Sequence, residues 1–192
     1  MPTLAFIGDV MLGRGVNAVI PSRAAEWFWG DVLPLLRSAD AVFANLECAI
    51  TTHRARWSLT PKVFYFRADP HAVQVLRAAN IRCVSLANNH TLDYDVPGLL
   101  DTLRYLDEAG IAHAGAGRTL EEAEAPALVE AGGIRVGVIS ATDNEPPFAA
   151  GPDRPGTNYL EIRTDPATLD RVAGWIARAR RAGAQLVVLS LH

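Results

Sequence analysis

The chain has 192 residues, of which 49% are hydrophobic, and 21 acidic residues against 18 basic ones give a formal charge of −3. This near-balance of charge argues against a nucleic-acid-binding protein that relies on a broad basic surface. No apolar run reaches the roughly 18 residues of a membrane span, and no signal-peptide pattern precedes the first strand. Two cysteines are too few for a disulfide framework. The composition therefore predicts a cytoplasmic globular domain that covers residues 1–192.

Short apolar runs alternate with amphipathic segments along the chain. In chain order, the pattern predicts strand 4–7, helix 31–38, strand 41–44, helix 69–79, strand 81–86, helix 97–108, strand 134–140, helix 165–182 and strand 186–191. The second and last helices open with Asp-Pro, which places an N-cap residue before a proline at the first helical position. Shorter strands are predicted at 61–67, 111–114 and 127–131, and a surface loop at 143–158. Strands separated by helices of this length indicate an α/β fold with a parallel sheet.

Polar side chains follow four of the predicted strands at the point where each strand ends. They are Asp9 after the first strand, Asn45 and Glu47 after the second, Asn88, Asn89 and His90 after the third, and His192 after the last. Ligands of open parallel sheets bind at this edge, so the four segments should meet in one crevice. Each residue alone also fits a turn or a structural role, but the four concordant placements favour a shared site. Carboxylate, amide and imidazole groups together suit one or two divalent cations such as Mn, Fe, Zn or Mg.

Several motifs resemble, in order, those of the CapA family of bacterial capsule and poly-γ-glutamate synthesis proteins, which is related to calcineurin-like metallophosphoesterases. The motifs are Gly8-Asp9-Val10-Met11-Leu12-Gly13-Arg14, Asn45-Leu46-Glu47, Ser85-Leu86-Ala87-Asn88-Asn89-His90 with Asp93 after it, Gly115-Ala116-Gly117-Arg118, and Leu189-Ser190-Leu191-His192. The resemblance covers almost the whole chain. It implies a layered, metallophosphoesterase-like α/β fold and a metal-dependent activity.

The resemblance also implies which residues hold the metal. Asp9 matches the first metal aspartate of the family, Glu47 the bridging acidic position, Asn89 the metal-binding asparagine, and His192 a later metal histidine. Many metallophosphoesterases carry a histidine two residues after the first aspartate, where this chain has Met11. A thioether cannot replace imidazole toward a hard cation, so the resemblance predicts an altered metal site.

Four further residues are assigned to the substrate side of the site. His90 matches the histidine near the leaving group, where it would protonate the leaving oxygen or stabilise developing charge. Asp93 either orients His90 or starts the following helix, and the sequence leaves both roles open. Arg14 trails the Asp9 turn and is expected to meet an anionic substrate. Asn88 shapes the turn and is placed beside the substrate.

Two classes of function remain open from the sequence. One is a metal-dependent hydrolase of the metallophosphoesterase type, linked to capsule or poly-γ-glutamate synthesis. The other is a non-catalytic component that binds or exports an anionic polymer. Because the family's later histidine-rich segment is absent and His192 is the last residue, we expect a domain incomplete at its C-terminus. An exposed sheet edge would then favour a homodimer or a complementing chain.

Overall fold

A computed structural model describes residues 1–192, in which strands and helices alternate for most of the chain. The strands are β1 (Leu4–Val10), β2 (Ala41–Leu46), β3 (Ala49–Ile50), β4 (Arg67–Ala68), β5 (Ile81–Ser85), β6 (Ala112–Ala114), β7 (Ala116–Gly117), β8 (Ala127–Ala131), β9 (Ile134–Ala141), β10 (Gly156–Thr157) and β11 (Leu186–Leu191). The helices are α1 (Arg14–Val19), α2 (Leu33–Ser38), α3 (Val73–Ala78), α4 (Asp95–Glu108), α5 (Leu120–Ala123) and α6 (Pro166–Arg181). No helix combines the length and apolar composition that crossing a lipid bilayer requires.

Two principal sheets carry the fold. The first is entirely parallel, with the strand order β1-β2-β5-β6. The second has the order β11-β9-β8, and only β11 runs parallel to β9. The predicted parallel sheet is thus present, and β8, a short strand to which the sequence assigned no direction, pairs antiparallel with β9. Gly132 and Gly133 both have positive φ, at 56° and 82°, and so form the tight turn that joins adjacent antiparallel strands.

The hydrophobic core arranges these elements in four layers. A cluster of 28 buried residues joins one face of the first sheet to helices α2, α3 and α4. The other face packs against the second sheet through residues such as Phe43, Cys83, Val129 and Val136. Trp175 of α6 packs in one cluster with Ile139 of β9 and so covers the outer face of the second sheet. The α/β class is thus confirmed, with helices outside and two sheets facing each other.

Most element boundaries agree with the hydrophobic pattern, with several exceptions. Strand β1 extends beyond the predicted 4–7 to Val10, and the helix predicted at 69–79 consists of a 3₁₀ turn, Pro70–Ala72, followed by α3. Its predicted N-cap, Asp69, makes no capping hydrogen bond with its side chain. Helix α2 begins only at Leu33, because residues 25–32 form a 3₁₀ segment that is kinked at Gly30, where φ is 53°. Residues 61–66 lie outside strands, and only Arg67–Ala68 of the strand predicted at 61–67 pairs with a neighbour. The Asp165 carboxylate accepts a hydrogen bond from the Thr168 amide at 3.0 Å, so the N-cap predicted for α6 is confirmed.

Candidate functional site

Three predicted metal ligands meet where strands of the two sheets end. Asp9 lies near the end of β1, Glu47 follows β2 and His192 follows β11. One ligand atom from each lies within 4.8 Å of the others. Two atoms that share one cation, each about 2.0–2.6 Å from it, can be at most about 5 Å apart. The spacing of these carboxylates and imidazole therefore fits a divalent cation.

Asn89, the fourth predicted ligand, joins the same cluster. Its Oδ1 lies 3.0 Å from Nε2 of His192, and Oε1 of Glu47 lies 3.1 Å from that nitrogen. Three ligand atoms from separate segments thus converge on one point beside Asp9. Oxygen and imidazole donors in this combination suit Mn, Fe, Zn or Mg. We refer to Asp9, Glu47, Asn89 and His192 as the candidate metal centre.

Asn45 and Asn88 support the candidate metal centre from behind. The Asn45 amide donates to Oδ1 of Asp9 at 2.9 Å and lies 3.2 Å from Nδ1 of His192. Asn88 in turn donates to Oδ1 of Asn45 and to the Leu46 carbonyl, each at 2.9 Å. Such partners orient metal-binding side chains. Asn45 sits in the expected position, although its role in holding two ligands at once follows only from these contacts.

The structure does not support placing Asn88 beside the substrate. Its side chain is fully buried, and its Oδ1 accepts a hydrogen bond from the His90 amide at 2.9 Å. With its NH₂ group also donating to protein, the amide has little capacity left for a ligand. Asn88 therefore serves the turn after β5 and the orientation of Asn45.

His90 and Asp93 form a buried pair next to this turn. Nδ1 of His90 lies 2.7 Å from Oδ2 of Asp93, which also accepts the Phe66 amide at 2.6 Å. The Phe66 ring stacks on the imidazole with 4.0 Å between ring centres. Helix α4 begins only at Asp95, so the contacts of Asp93 are those of a residue that orients His90. Asp93 is fully buried and cannot touch a substrate directly, so it is a positioning residue.

Lys62 completes this pair, although sequence reasoning assigned it no role. Its Nζ lies 3.2 Å from Oδ1 of Asp93 and 3.6 Å from Oε1 of Glu145, and it donates to the Asn89 carbonyl. The contact with Asp93 is an ion pair without hydrogen-bond geometry. The Lys62 side chain is only 6% exposed. The one available signal in the sequence was that Lys62 is the single lysine of the chain.

Met11 lies on the loop that follows β1, and Arg14 is the first residue of α1. Arg14 has a φ of 54°, uncommon for a residue with a side chain, and its guanidinium carbon lies 5.7 Å from the ring centres of Phe64 and Phe66. It thus stands beside the ring that stacks on His90. The Met11 sulfur accepts a hydrogen bond from the Gly13 amide at 3.1 Å, which holds the loop together.

A cavity of about 230 Å³ opens between the two sheets at the candidate metal centre. Its apolar wall includes Phe6, Phe43 and Val188, and Asp9 and His192 lie at its polar end. The buried Cys83 also lines it, but burial raises the pKa of this thiol to about 12. Burial likewise raises the pKa of Cys48 to about 12. Neither thiol is ionised near neutral pH, so neither is equipped as a nucleophile.

Comparison with known proteins finds one family model and several curated bacterial proteins that are similar to the chain. The family model "Bacterial capsule synthesis protein PGA_cap" matches residues 3–192. A "Probable polyglutamine synthesis accessory protein" of Mycobacterium tuberculosis is 32% identical over 228 residues, which cover 99% of this chain and 59% of the relative. The "Capsule biosynthesis protein CapA" of Bacillus anthracis is 26% identical over 99% of this chain and 46% of its own length.

A third relative extends this pattern. The "PGA biosynthesis protein CapA" of Bacillus subtilis is 30% identical over 154 residues, which cover 79% of this chain and 40% of the relative. The chain spans between 36% and 59% of the length of the curated relatives it matches.

Proposed function

Because the chain belongs to the family of bacterial capsule synthesis proteins known as PGA_cap, we propose that it is a metal-dependent hydrolase of the metallophosphoesterase type that takes part in capsule or poly-γ-glutamate synthesis. The observation that carries this proposal is the convergence of Asp9, Glu47 and His192, whose ligand atoms lie within 4.8 Å of one another. Two carboxylates so close together repel each other unless a cation neutralises them.

The residues of the candidate metal centre would hold the cation, and Asn45 would keep two of them in place. A divalent cation bound there would act as a Lewis acid toward a phosphoryl or similar oxygen of the substrate. Asn45 contacts Asp9 and His192 together, so it fixes the distance between ligands from different sheets. This arrangement gives the centre a defined shape before any substrate binds.

His90 would manage the proton of the leaving group. With Nδ1 bound to Asp93, the other ring nitrogen, Nε2, is the atom that can accept or donate a proton. Asp93 holds the ring by its Nδ1 atom, Phe66 fixes the plane of the ring, and Lys62 forms an ion pair with the buried Asp93 carboxylate. The pair of His90 and Asp93 therefore has the parts of a positioned general acid.

Metal binding is tested by calorimetric titration of Mn²⁺ and Zn²⁺ into the purified chain. Asp9→Asn and Glu47→Gln should each weaken binding by tenfold or more, because each removes a charged ligand. Glu121→Gln is the matched control, since this glutamate is exposed and belongs to no ion pair. Equal metal affinity in Glu47→Gln and Glu121→Gln would refute the proposed centre.

The chemistry is tested by hydrolysis of a chromogenic phosphodiester in buffer that contains the metal. His90→Asn should lower turnover by roughly 100-fold to 10,000-fold while it spares most of the metal affinity. His113→Asn is the control, because His113 also pairs with an aspartate, at 3.1 Å from Asp107, but outside the site. Undiminished turnover in His90→Asn would remove its catalytic role, and a joint loss of metal would make it a ligand.

A second candidate function is a non-catalytic component that binds or exports the polymer. Met11 favours this second function, because it stands where many metallophosphoesterases have a histidine. Its sulfur accepts a hydrogen bond from the Gly13 amide. Under this alternative the chain binds an anionic polymer and a metal but does not hydrolyse phosphodiesters at any metal concentration.

A further inference from the structure

A polar pocket of about 380 Å³ is formed largely by residues of the segment 51–67, next to the Phe66 ring that stacks on His90. Its lining includes Arg14, Arg56, Arg67, Phe64, Tyr65 and Tyr94. We propose that these residues, the arginine pocket, bind successive carboxylates of a polyanionic chain and guide that chain toward His90. The guidance rests on the proposed function of the centre, whereas the binding of carboxylates does not.

Each guanidinium of the pocket lies on an aromatic ring. The distances from guanidinium carbon to ring centre are 4.9 Å for Arg56 on Tyr65, 5.8 Å for Arg67 on Tyr94, and 5.7 Å for Arg14 on both Phe64 and Phe66. Contacts of this kind attract the cation and limit its rotamers. A guanidinium held by its face keeps the N–H groups of its edge available for a carboxylate, which it can bind with two parallel hydrogen bonds.

The pocket carries two positive charges that the protein itself does not neutralise. Arg67 donates to the Thr51 carbonyl at 2.7 Å and to Oδ1 of Asp69 at 2.8 Å, so it is anchored and largely compensated. Arg14 and Arg56 form neither a salt bridge nor a side-chain hydrogen bond anywhere in residues 1–192. Two uncompensated cations in one concave surface raise the local concentration of anions.

Apolar side chains at the rim indicate what lies between the ligand's charges. Val63 is 84% exposed and Phe64 is 56% exposed, and both line the pocket. A chain whose carboxylates are separated by methylene groups would cover this apolar surface and present its charges to Arg14 and Arg56. Polyphosphate contains no methylene groups and so has nothing apolar to cover Val63. The lining therefore favours a polycarboxylate over a polyphosphate.

Phe66 connects the arginine pocket to His90. The centre of its ring lies 5.7 Å from the guanidinium carbon of Arg14. The same ring stacks on His90 with 4.0 Å between ring centres. Its amide also donates to Asp93. A polymer that leaves the pocket along Arg14 would therefore reach the imidazole past a single aromatic ring.

The pocket is tested by fluorescence anisotropy with a fluorescein-labelled, γ-linked oligoglutamate, in EDTA so that no metal contributes. Arg14→Gln and Arg56→Gln should each raise Kd about tenfold, because each removes a charge-assisted hydrogen bond. Arg56→Lys should recover only part of the loss, since lysine keeps the charge but not the fork. Arg23→Gln is the matched control, because Arg23 also lies on an aromatic ring, 5.0 Å from that of Trp27, outside the pocket.

Three outcomes would overturn the proposal. The pocket does not bind the polymer if Arg14→Gln and Arg56→Gln match the wild type, or if they lose no more affinity than Arg23→Gln. The assignment to carboxylates is wrong if polyphosphate displaces the probe at a lower charge concentration than unlabelled oligoglutamate. Asp9→Asn separates this proposal from the preceding one. It should weaken metal binding by tenfold or more and leave the Kd for oligoglutamate in EDTA unchanged, and a tenfold loss of that affinity would contradict an independent pocket.

Discussion

Replacing Lys62 with methionine tests whether the buried ion pair of Lys62 and Asp93 stabilises the part of the site that holds His90. Methionine has a side chain of similar length and removes the ammonium group, whose Nζ lies 5.5 Å from the ring centre of Phe148 and donates to the Asn89 carbonyl. The Asp93 carboxylate would then remain fully buried with its hydrogen bonds from His90 and Phe66 but without its counter-ion.

The expected loss follows from the cost of an unpaired buried charge. Removing one partner of a buried ion pair typically costs about 3–5 kcal/mol. We expect the lower end, about 3 kcal/mol, because the two hydrogen bonds to Asp93 remain and because Lys62 no longer has to be desolvated. For a chain of this size that corresponds to a fall in Tm of roughly 6–12 °C.

Urea unfolding followed by tryptophan fluorescence measures this loss. Lys62→Met/Asp93→Asn removes both charges and should be more stable than the sum of the single losses predicts. Arg118→Met is the control, since its pair with Glu122, at 3.4 Å between exposed side chains, should be worth at most about 1 kcal/mol. A loss in Lys62→Met no larger than that of Arg118→Met, or strict additivity in the double variant, would refute a coupled pair.

Three further outcomes are expected. Gly117→Ala should destabilise the chain by about 1–3 kcal/mol in urea unfolding, because an added Cβ would lie 2.4 Å from a side chain of α5, whereas Gly174→Ala, with nothing within 4 Å, should stabilise α6 slightly. Cys83 should resist iodoacetamide at about pH 8 in the native chain and react in urea, as read by mass spectrometry, because burial raises its pKa to about 12. The hydrogen bond from Asn17 holds the pKa of Asp69 below its ordinary value. This hydrogen bond therefore stabilises the folded chain fully above the ordinary pKa of Asp69, and the stabilisation is lost as the pH falls through the pKa of the folded state. The difference in unfolding free energy between wild type and Asn17→Ala should therefore shrink from about pH 7 to about pH 3, and a constant difference would contradict this sign.

Local chemistry determined much of the secondary structure. The hydrophobic runs at 127–131 and 186–191 are β8 and β11 with the same bounds, because an apolar run between turn residues has few alternatives to a buried strand. The Asp-Pro pair at 165–166 likewise marked the start of α6, since the cap needs only neighbouring residues. The convergence of Asp9, Glu47 and Asn89 was predictable as well, because parallel strands of one sheet deliver their carboxyl ends to one edge. The predicted place of His192 beside them depends in addition on how the second sheet packs against the first.

Tertiary contacts decided the rest of the candidate site. The sequence predicts neither the ion pair of Lys62 with Asp93 nor the stacking of Arg56 on Tyr65. Residues 51–66 form almost no helix or strand, so no regular repeat fixes the direction of their side chains. The burial of Asn88 depends on two acceptors more than 40 residues away in the chain, which no local rule can foresee. Side chains in a loop take their roles from whichever distant elements pack over them, and long-range packing overrides local preference there.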